Sequence, residues 1–426
     1  MFFTEELLVN YEDVNIDELL SDVQELLDDE PKNERNVVVH ETEPKKTVNN
    51  KDKKGGKKTA SKPSGARKAL GILGRILLIL LETVLLLAIC LYGLMYVVAK
   101  GPSPAARDLF VMSVRETSAM GFLADLFFTE EEIAQIENKQ EVEDFVETDT
   151  SLIQIPKETV PPEGEEVPEN QGPVADEWGL IDEDGDGIIL QTVKGEGYSG
   201  YMMVVLDPSR VIMGSIPRSY GARGYTVADM VKQFDAVAGI NAGGFHDPDG
   251  TGNGSIPDTM VVFEGKVYYE GSGTRAGFVG FDSNHIMHVA SRITSKEIKE
   301  RDIQYGVCFG PVLISNGEPC DLNISGVNPR TAIGQRSDGA VLLLVIDGRQ
   351  VISMGATHED LIDIMLDYGA VNACNLDGGS STLMWWDPDG DGEQEGDYVN
   401  NCASVIGIRP VPTTFLVLKE GVNNDG

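Results

Sequence analysis

The sequence predicts an α+β fold for residues 195–418, with a mixed sheet that carries helices on part of its surface. Short apolar, β-type runs alternate there with glycine-rich turns. Helical spacing of apolar residues is confined chiefly to residues 226–234 and to a run that begins after Thr357, with Asp360 three positions later as in a capping box. The β-type runs are residues 201–206, 236–241, 260–263, 278–281, 341–346 and 371–376.

The N-terminal half of the chain contains one long apolar run, residues 76–99, interrupted by Glu82 and a few small or aromatic residues. A membrane span needs about 20 such residues, so this run predicts a single transmembrane helix. Arg67, Lys68 and Arg75 flank its N-terminal side. The positive-inside rule therefore predicts a cytoplasmic N-terminus and an extracytoplasmic position for everything after residue 100.

Composition divides the rest of the chain into segments. The first 75 residues are polar and charged, with apolar residues at helical spacing between 16 and 27 that fit either a marginal helix or a partner-docking helix. A helical region with exposed apolar residues predicts a stalk that self-associates or contacts the membrane, and an acidic, proline-rich segment predicts a spacer. The predicted segments are 1–75 (largely disordered cytoplasmic tail), 76–99 (transmembrane helix), 100–140 (juxtamembrane helical stalk), 141–194 (linker), 195–418 (globular domain) and 419–426 (C-terminal tail).

Charge and cysteine content limit the function. The chain has 69 acidic and 34 basic residues, a formal net charge of −35, which disfavours nucleic acid as a partner because phosphates are repelled. Of the 5 cysteines, Cys90 lies in the apolar run, and four in the globular region permit three pairings or none. The sequence has no zinc-type spacing, no P-loop and no Gly-x-Ser-x-Gly elbow.

Polar, glycine-containing clusters follow several of the predicted strands. Strand ends that carry Asn, Arg and Asp side chains beside glycine can converge on one pocket. The clusters are Asn241-Ala242-Gly243-Gly244-Phe245-His246, Gly310-Pro311-Val312-Leu313, Arg330-Thr331-Ala332 leading to Asp347-Gly348, and Asn375-Leu376-Asp377-Gly378-Gly379-Ser380.

The clusters contain side chains suited to anion binding and glycosyl transfer. The guanidinium of Arg330 suits a phosphate or carboxylate, with a structural ion pair as the alternative. Asp347 and Asp377 suit the carboxylate pair of a glycosidase, although Asp-Gly also marks tight turns between strands. His246 suits an acid, a base or a substrate contact.

Three acidic stretches have part of the pattern of a calcium loop. Aspartates at 182, 184 and 186 and at 387, 389 and 391 precede glycine but lack the acidic twelfth residue of an EF-hand. The stretch from Asp247 has Asp258 at that position, and no convincing exiting helix follows any of the three. The sequence predicts no cofactor and no metal among the site residues, with calcium at one of these turns as the alternative.

The four clusters, in this order, resemble the phosphodiester glycosidase family across residues 195–418. The chain departs from the family at His246, where a second aromatic residue is common, and at Ser380, where a third glycine is frequent. The resemblance implies cleavage between an anomeric carbon and a phosphodiester. It also implies that Asp347 and Asp377 are catalytic. The implied substrate-binding residues are Asn241, Gly243, Gly244, His246, Arg330, Thr331, Gly378, Gly379 and Ser380, with Arg330 at the phosphate.

The combined prediction is a membrane-anchored extracytoplasmic glycosidase that hydrolyses sugar-1-phosphodiester linkages in cell-envelope polysaccharide or glycoconjugate. Its predicted partner is a phosphate-containing glycan. The alternatives are a non-catalytic phosphoglycan-binding module, which needs Arg330 but not the aspartates, and an envelope scaffolding protein.

Overall fold

The computed structural model describes residues 65–115, 120–137, 147–156, 174–247, 252–271, 277–322, 325–388, 396–404 and 407–421. The chain divides into two compact units, residues 1–76 and 77–426. The predicted disordered tail up to residue 64, the helical pattern at 16–27 and the last residues of the C-terminal tail lie outside the described residues.

Helix α1, Gly65–Lys100, contains the predicted transmembrane run. Its Leu73–Lys100 stretch has 28 residues and a mean hydropathy of 2.6, and its side chains are exposed except near the C-terminal end, where Ala99 is buried. By length and composition alone, this stretch is long and apolar enough to cross a membrane.

Three short helices follow α1 in the region predicted as a helical stalk: α2 (Pro104–Arg115), α3 (Phe122–Asp125) and α4 (Glu130–Glu137). Together with Ala99 of α1 they bury Val111, Phe127 and Ile133 in a small core, so part of the apolar surface predicted to be exposed is covered within the chain. Phe122 and Leu126 stay exposed. Self-association through this region stays a prediction.

The globular region contains three sheets, whose strands are numbered along the chain. The first has seven strands in the order β1 (Ile188–Gly195), β2 (Tyr198–Val205), β13 (Val341–Ile346), β12 (Arg330–Arg336), β14 (Ala370–Leu376), β10 (Val312–Ser315) and β11 (Glu318–Pro319). The second has five, in the order β16 (Asp397–Tyr398), β15 (Met384–Trp386), β4 (Ala236–Asn241), β17 (Thr413–Leu418) and β3 (Val211–Ser215). The third has five, in the order β6 (Lys266–Gly271), β5 (Thr259–Phe263), β9 (Ile303–Cys308), β7 (Phe278–Asp282) and β8 (Met287–Ala290).

The α+β class is confirmed, but the predicted mixed sheet is wrong because every strand pair within the described residues is antiparallel. A helix joins β13 to β14, which is the connection that parallel neighbours require. These two strands do run in the same direction, since both pair antiparallel to β12. However, β12 lies between them, so no parallel hydrogen bonding results.

The main core lies among the three sheets. It contains Met203 and Val345 from the first sheet, Ile240 and Phe415 from the second and Val279 from the third. A strand that is buried on both faces, by the shared core and by helices, has a continuous apolar sequence. Residues 341–346 form such a run. All five cysteines are free thiols.

Helices α5 (Val227–Gln233), α6 (Ser295–Glu300) and α7 (His358–Asp367) cover part of the sheet surface, as predicted. Each begins with a capping box, set by Thr226, Thr294 and Thr357 respectively. The apolar face of α7 packs against the first sheet through Leu361 and Met365.

Segments N-terminal to the predicted boundary at Gly195 also belong to the folded region. Strand β1 ends at Gly195 and pairs with β2 over its whole length. Trp178 stacks on the guanidinium of Arg336, with 3.8 Å between the guanidinium carbon and the ring centroid. Arg336, which is 1% exposed, also forms an ion pair of 2.7 Å with Asp176 and another with Asp338. The 174–187 segment is therefore a clamp on β12 rather than a free linker.

We expect Asp176→Ala to lower the free energy of unfolding by roughly 2 kcal/mol, because it removes one of the two carboxylates that compensate a buried guanidinium. Chemical denaturation of the full chain in detergent measures the change. Glu183→Ala, an exposed acidic position in the same segment, is the matched control and should leave stability unchanged. Equal stability of both variants would show that the segment does not clamp the domain.

Candidate active site

The ends of strands β4, β12 and β14 meet at the side chain of Asn241, which is fully buried. Its amide nitrogen donates to the carbonyl oxygen of Asp377. Its amide oxygen accepts from the hydroxyl of Thr331 at 2.9 Å and from the backbone N–H of Leu383 at 3.1 Å. Thr331 also pairs with Leu376 in the sheet. One side chain therefore fixes the positions of Asp377 and of the start of β12.

A cavity of about 410 Å³ lies at this junction. Its wall is formed by strand ends, by the 3-10 turn Gly379–Ser381 and by the first residue of α7. The described residues that line it are Arg115, Gly244, Phe245, Asp247, Phe309, Gly310, Asn328, Arg330, Arg349, His358, Asn375, Leu376, Asp377, Gly378, Gly379, Ser380, Ser381 and Arg409.

Arg330 is buried, with 6% of its surface exposed, and backbone carbonyls fix its orientation. Its Nε donates to the oxygen of Ala356 at 3.1 Å, and one terminal nitrogen donates to the oxygen of Gly326. These two bonds fix the direction in which the guanidinium points. Arg330 therefore brings a pre-oriented positive charge to the cavity wall, as an anion site requires.

Two further arginines strengthen the positive potential. Arg349 donates to the hydroxyl of Ser380 at 3.2 Å and to the side-chain oxygen of Asn328 at 3.4 Å. Burial lowers the pKa of Arg349, and the nearby charges of Arg409 and Arg330 lower it further. Like charges crowded in this way favour an anionic ligand, which relieves their repulsion.

The acidic side chains among the described lining residues are Asp377 and Asp247. Both carboxylate oxygens of Asp247 accept from the backbone N–H of Gly252, at 2.9 and 3.0 Å, and one lies 4.0 Å from Arg409. Asp377 follows β14 and donates its backbone N–H to the oxygen of Ala242 at 2.9 Å. This places a carboxylate and the guanidinium of Arg330 in the wall of one cavity.

Asp347, the other predicted catalytic residue, lies outside the described lining. Its carboxylate is buried and accepts from the Asn400 side chain at 3.1 Å, from the Asn401 backbone at 2.9 Å and from the Asn401 side chain at 2.9 Å. In this position Asp347 anchors the 400–401 segment. Its predicted catalytic role stays a prediction.

His358 contributes a neutral imidazole to the cavity wall. Burial lowers the pKa of His358 well below its usual value, and the charge of Arg330 lowers it further. Its Nε2 finds no hydrogen-bond partner among the described residues, and neither does the side-chain oxygen of Asn375. Both groups line the cavity, so both are available to the hydroxyls of a polar ligand.

The structure brings six predicted site residues to the cavity: Gly244, Arg330, Asp377, Gly378, Gly379 and Ser380. Asn241, Gly243 and Thr331 support the wall from behind it, and His246 is exposed outside the described lining. Sequence reasoning missed His358, Arg349, Arg409, Asp247 and Arg115. For Arg349 a local signal was present, because it directly follows the Asp347-Gly348 turn. Arg115 and Arg409 carry no local signal.

Within the described residues, one acidic group has the spacing of a metal site, with ligand atoms of Asp182, Asp184 and Asp186 all within 4.8 Å of one another. Backbone N–H groups of Gly185 and Gly187 already bind the Asp182 carboxylate. None of these aspartates lines the cavity. The second and third predicted acidic loops lie partly outside the described residues. Calcium binding stays a prediction.

A protein-family model matches part of the globular region. Residues 234–418 match the family model described as phosphodiester glycosidase. The domain is related to the phosphodiester glycosidases. This confirms the relation predicted from the four clusters, and the match includes every described lining residue of the cavity except Arg115.

Individual relatives of this phosphodiester-glycosidase-like domain are distant. The SPbeta prophage-derived uncharacterized protein YomE of Bacillus subtilis (strain 168) is 29% identical over 216 residues, which cover 47% of this chain and 30% of that protein. The chain thus matches less than a third of that relative's length. The zebrafish N-acetylglucosamine-1-phosphodiester alpha-N-acetylglucosaminidase catalytic domain is 18% identical with a TM-score of 0.42, covering 55% of this chain and 82% of that one. A putative exported protein of Burkholderia pseudomallei is 16% identical with a TM-score of 0.38, covering 52% and 74%.

We expect Asp347→Ala to lower the free energy of unfolding by roughly 2 kcal/mol, because the amides of Asn400 and Asn401 lose their acceptor. Thermal or chemical denaturation measures this change, with the exposed Asp321→Ala as control. An Asp347→Ala protein with wild-type stability would contradict the anchoring role and favour the catalytic role predicted from the sequence.

His358 makes stability depend on pH. Its pKa is near 6.5 in the unfolded chain and well below that when folded, so below pH 6.5 the unfolded state binds a proton that the folded state does not. Stability therefore falls as the pH drops below about 6.5, by at most about 1.4 kcal/mol per pH unit from this residue.

We expect His358→Gln to reduce the loss of unfolding free energy between pH 7.5 and pH 5.5, because glutamine does not titrate there. Denaturation at the two pH values measures the loss in each variant. His246→Gln, at an exposed position, is the control. If His358→Gln and wild type lost equal stability, the imidazole would not be held neutral by the fold.

Proposed function

We propose that this chain is a membrane-anchored extracytoplasmic glycosidase that hydrolyses sugar-1-phosphodiester linkages in cell-envelope polysaccharide or glycoconjugate. The observation that carries the proposal is the presence of Asp377 and Arg330 in the wall of one polar cavity. The family match supports hydrolysis of a phosphodiester-linked sugar.

The charge of the cavity favours a phosphodiester ligand. The chain is strongly acidic, with a net charge of −35, yet the described cavity wall has four arginines and two aspartates. A local excess of guanidinium groups in an acidic protein attracts an anion specifically to that place. The neutral imidazole of His358 and the amide of Asn375 supply the hydrogen bonds that a sugar needs.

In the proposed reaction, one carboxylate accepts the proton of the attacking water. Water attacks the anomeric carbon, Asp377 accepts a proton from that water, and the bond between the anomeric carbon and the phosphate oxygen breaks. The bonding pair leaves with the phosphate, whose second ionisation has a pKa near 6, so this leaving group needs no strong acid. Arg330 stabilises the charge that accumulates on the phosphate. This assignment leaves Asp347 outside the chemistry, in agreement with its hydrogen bonds to Asn400 and Asn401.

The membrane part of the proposal rests on helix α1 and on the basic residues before it. The Leu73–Lys100 stretch has the length of a span, and Arg67, Lys68 and Arg75 favour a cytoplasmic N-terminus. The globular region then lies outside the cytoplasm, where envelope glycans are present. A glycan that contains phosphate is the proposed substrate.

We expect Asp377→Asn to lower kcat by about 10²–10⁴ on p-nitrophenyl-capped sugar-1-phosphodiesters, because amide nitrogen cannot accept the water proton. Arg330→Ala should lower kcat/KM by roughly 10²–10³. Arg330→Lys should retain part of the activity, because lysine keeps the positive charge but lacks the planar guanidinium that binds phosphate through two N–H groups. The assay uses the full chain in detergent and measures release of free sugar. Arg218→Ala, outside the described lining, is the control.

The same variants separate the enzyme from the binding module. If the wild-type chain binds a phosphoglycan but releases no sugar, and only Arg330→Ala weakens that binding, the protein is a binding module. If Asp377→Asn turns over substrate at the wild-type rate, the proposed role of Asp377 is wrong.

A further inference from the structure

An apolar tip projects beside the cavity. The loop that joins β13 to α7 exposes Val351, Ile352 and Met354, whose relative exposures are 103%, 79% and 63%. Three neighbouring apolar side chains so exposed are typical of an interaction surface. Arg349, two residues before Val351, lines the cavity, so the tip is part of the cavity rim.

Hydrogen bonds hold the tip in a fixed shape. The backbone N–H of Arg349 donates to the oxygen of Met354 at 3.1 Å, and that of Gln350 donates to the oxygen of Ser353 at 2.9 Å. Ser353 is fully buried beneath the tip, and its hydroxyl donates to the oxygen of Asp347 at 2.6 Å. The fold therefore presents these apolar side chains to the outside instead of letting them turn inward.

The helix next to the apolar span reaches the same cavity. The backbone N–H of Val327 donates to the hydroxyl of Ser113 in α2 at 3.0 Å. Gly326 packs so closely that a Cβ there would lie 2.4 Å from the Cα of Ser113. Gly326 also accepts from Arg330, and Arg115 at the end of α2 lines the cavity.

These contacts limit the distance between the cavity and the end of α1. Only residues 101–103 join Lys100 to α2, and α2 has 12 residues. A helix of that length spans about 18 Å, and three extended residues add about 10 Å. The Arg115 side of the cavity thus lies within roughly 30 Å of the apolar span, which is comparable to the thickness of one bilayer.

We propose that Val351, Ile352 and Met354 insert into the outer surface of the bilayer that α1 spans, so that the cavity mouth faces the lipid headgroups. The occupant of the apolar tip is a phospholipid surface. The guanidinium of Arg349, two residues before the tip, suits the phosphate group of a phospholipid headgroup. The substrate that this geometry serves is a sugar phosphodiester whose other ester group is a membrane lipid. That substrate class rests on the proposed glycosidase activity, whereas insertion of the tip rests only on the proposed anchoring of the chain by α1.

Fluorescence quenching by brominated lipids tests the insertion without an activity assay. The full chain is reconstituted in nanodiscs with and without lipids brominated in the acyl chains, and Ile352→Trp and Met354→Trp each add a reporter. Tyr268→Trp is the matched control, an exposed position on β6 outside the described cavity lining. We expect quenching of the added signal at 352 and 354 but not at 268, relative to wild type. Equal quenching at 268 and at the tip, or none at the tip, would overturn the proposal.

A second arm tests the substrate class with the variant Val351→Asp/Ile352→Asp. We expect roughly tenfold lower turnover of a lipid-linked sugar phosphodiester in the same nanodisc and unchanged turnover of a soluble p-nitrophenyl sugar phosphodiester. Equal loss on both substrates would show damage to the cavity and contradict the membrane role of the tip. If wild type turns over neither substrate, the proposed function fails, and the quenching result alone decides the insertion.

Discussion

The hydrogen bonds of the Asn241 side chain are the constraint on which the cavity depends. Asn241 ends β4 in the second sheet, and its amide binds the main chain at Asp377 and the hydroxyl of Thr331, both at strands of the first sheet. This buried amide makes three hydrogen bonds and thereby fixes the position of the first sheet relative to the second. These hydrogen bonds determine the relative position of Asp377, the catalytic candidate, and Arg330, the anion-binding candidate. Asn241 lies behind the cavity wall, yet the geometry of the wall rests on its side chain.

Close backbone packing reinforces this junction. A Cβ at Gly378 would lie 2.6 Å from the oxygen of Pro329, and the backbone N–H of Gly379 donates to that same oxygen at 2.8 Å. Gly379 also has a φ of 61°, in the left-handed region that favours glycine. Close packing at the first glycine after Asp377 and the positive φ of the second therefore favour glycine at these positions. They bring the turn that follows β14 against the start of β12, where Arg330 is held.

The sequence predicted the parts of the site that lie within single stretches. A strand end followed by Asp377 and two glycines is a local pattern, and so is the Thr357 capping box that begins α7. The pairing of the strands was not predictable in this way. A helix between β13 and β14 is compatible with two arrangements: the two strands can be parallel neighbours, or another strand can lie between them, as β12 does. Arg409 and Arg115 reach the cavity through tertiary packing alone, and no pattern near either residue indicates it.

Asp347 shows the same limit for deciding which side chains line the cavity. An aspartate before glycine at a strand end has the same local pattern as Asp377, and only their surroundings separate them. Asp377 faces the cavity, whereas the Asp347 carboxylate accepts hydrogen bonds from Asn400 and Asn401, which are more than fifty residues away in the sequence. The clamp of Arg336 by Asp176 and Trp178 is also a contact between distant segments, and it explains why the folded region begins before residue 195.

The electrostatics of the cavity follow from how its arginines are held. Backbone carbonyls orient Arg330, and neutral side chains orient Arg349, so these bonds do not remove the positive charge. Burying guanidinium groups costs free energy, and an anion bound in the cavity would offset part of that cost. The excess acidic residues elsewhere repel anions at long range, and screening by salt confines that repulsion to about 10 Å. In the proposed arrangement, a substrate that reaches the cavity along the membrane surface avoids most of that repulsion, which gives a physical reason for a cavity close to α1.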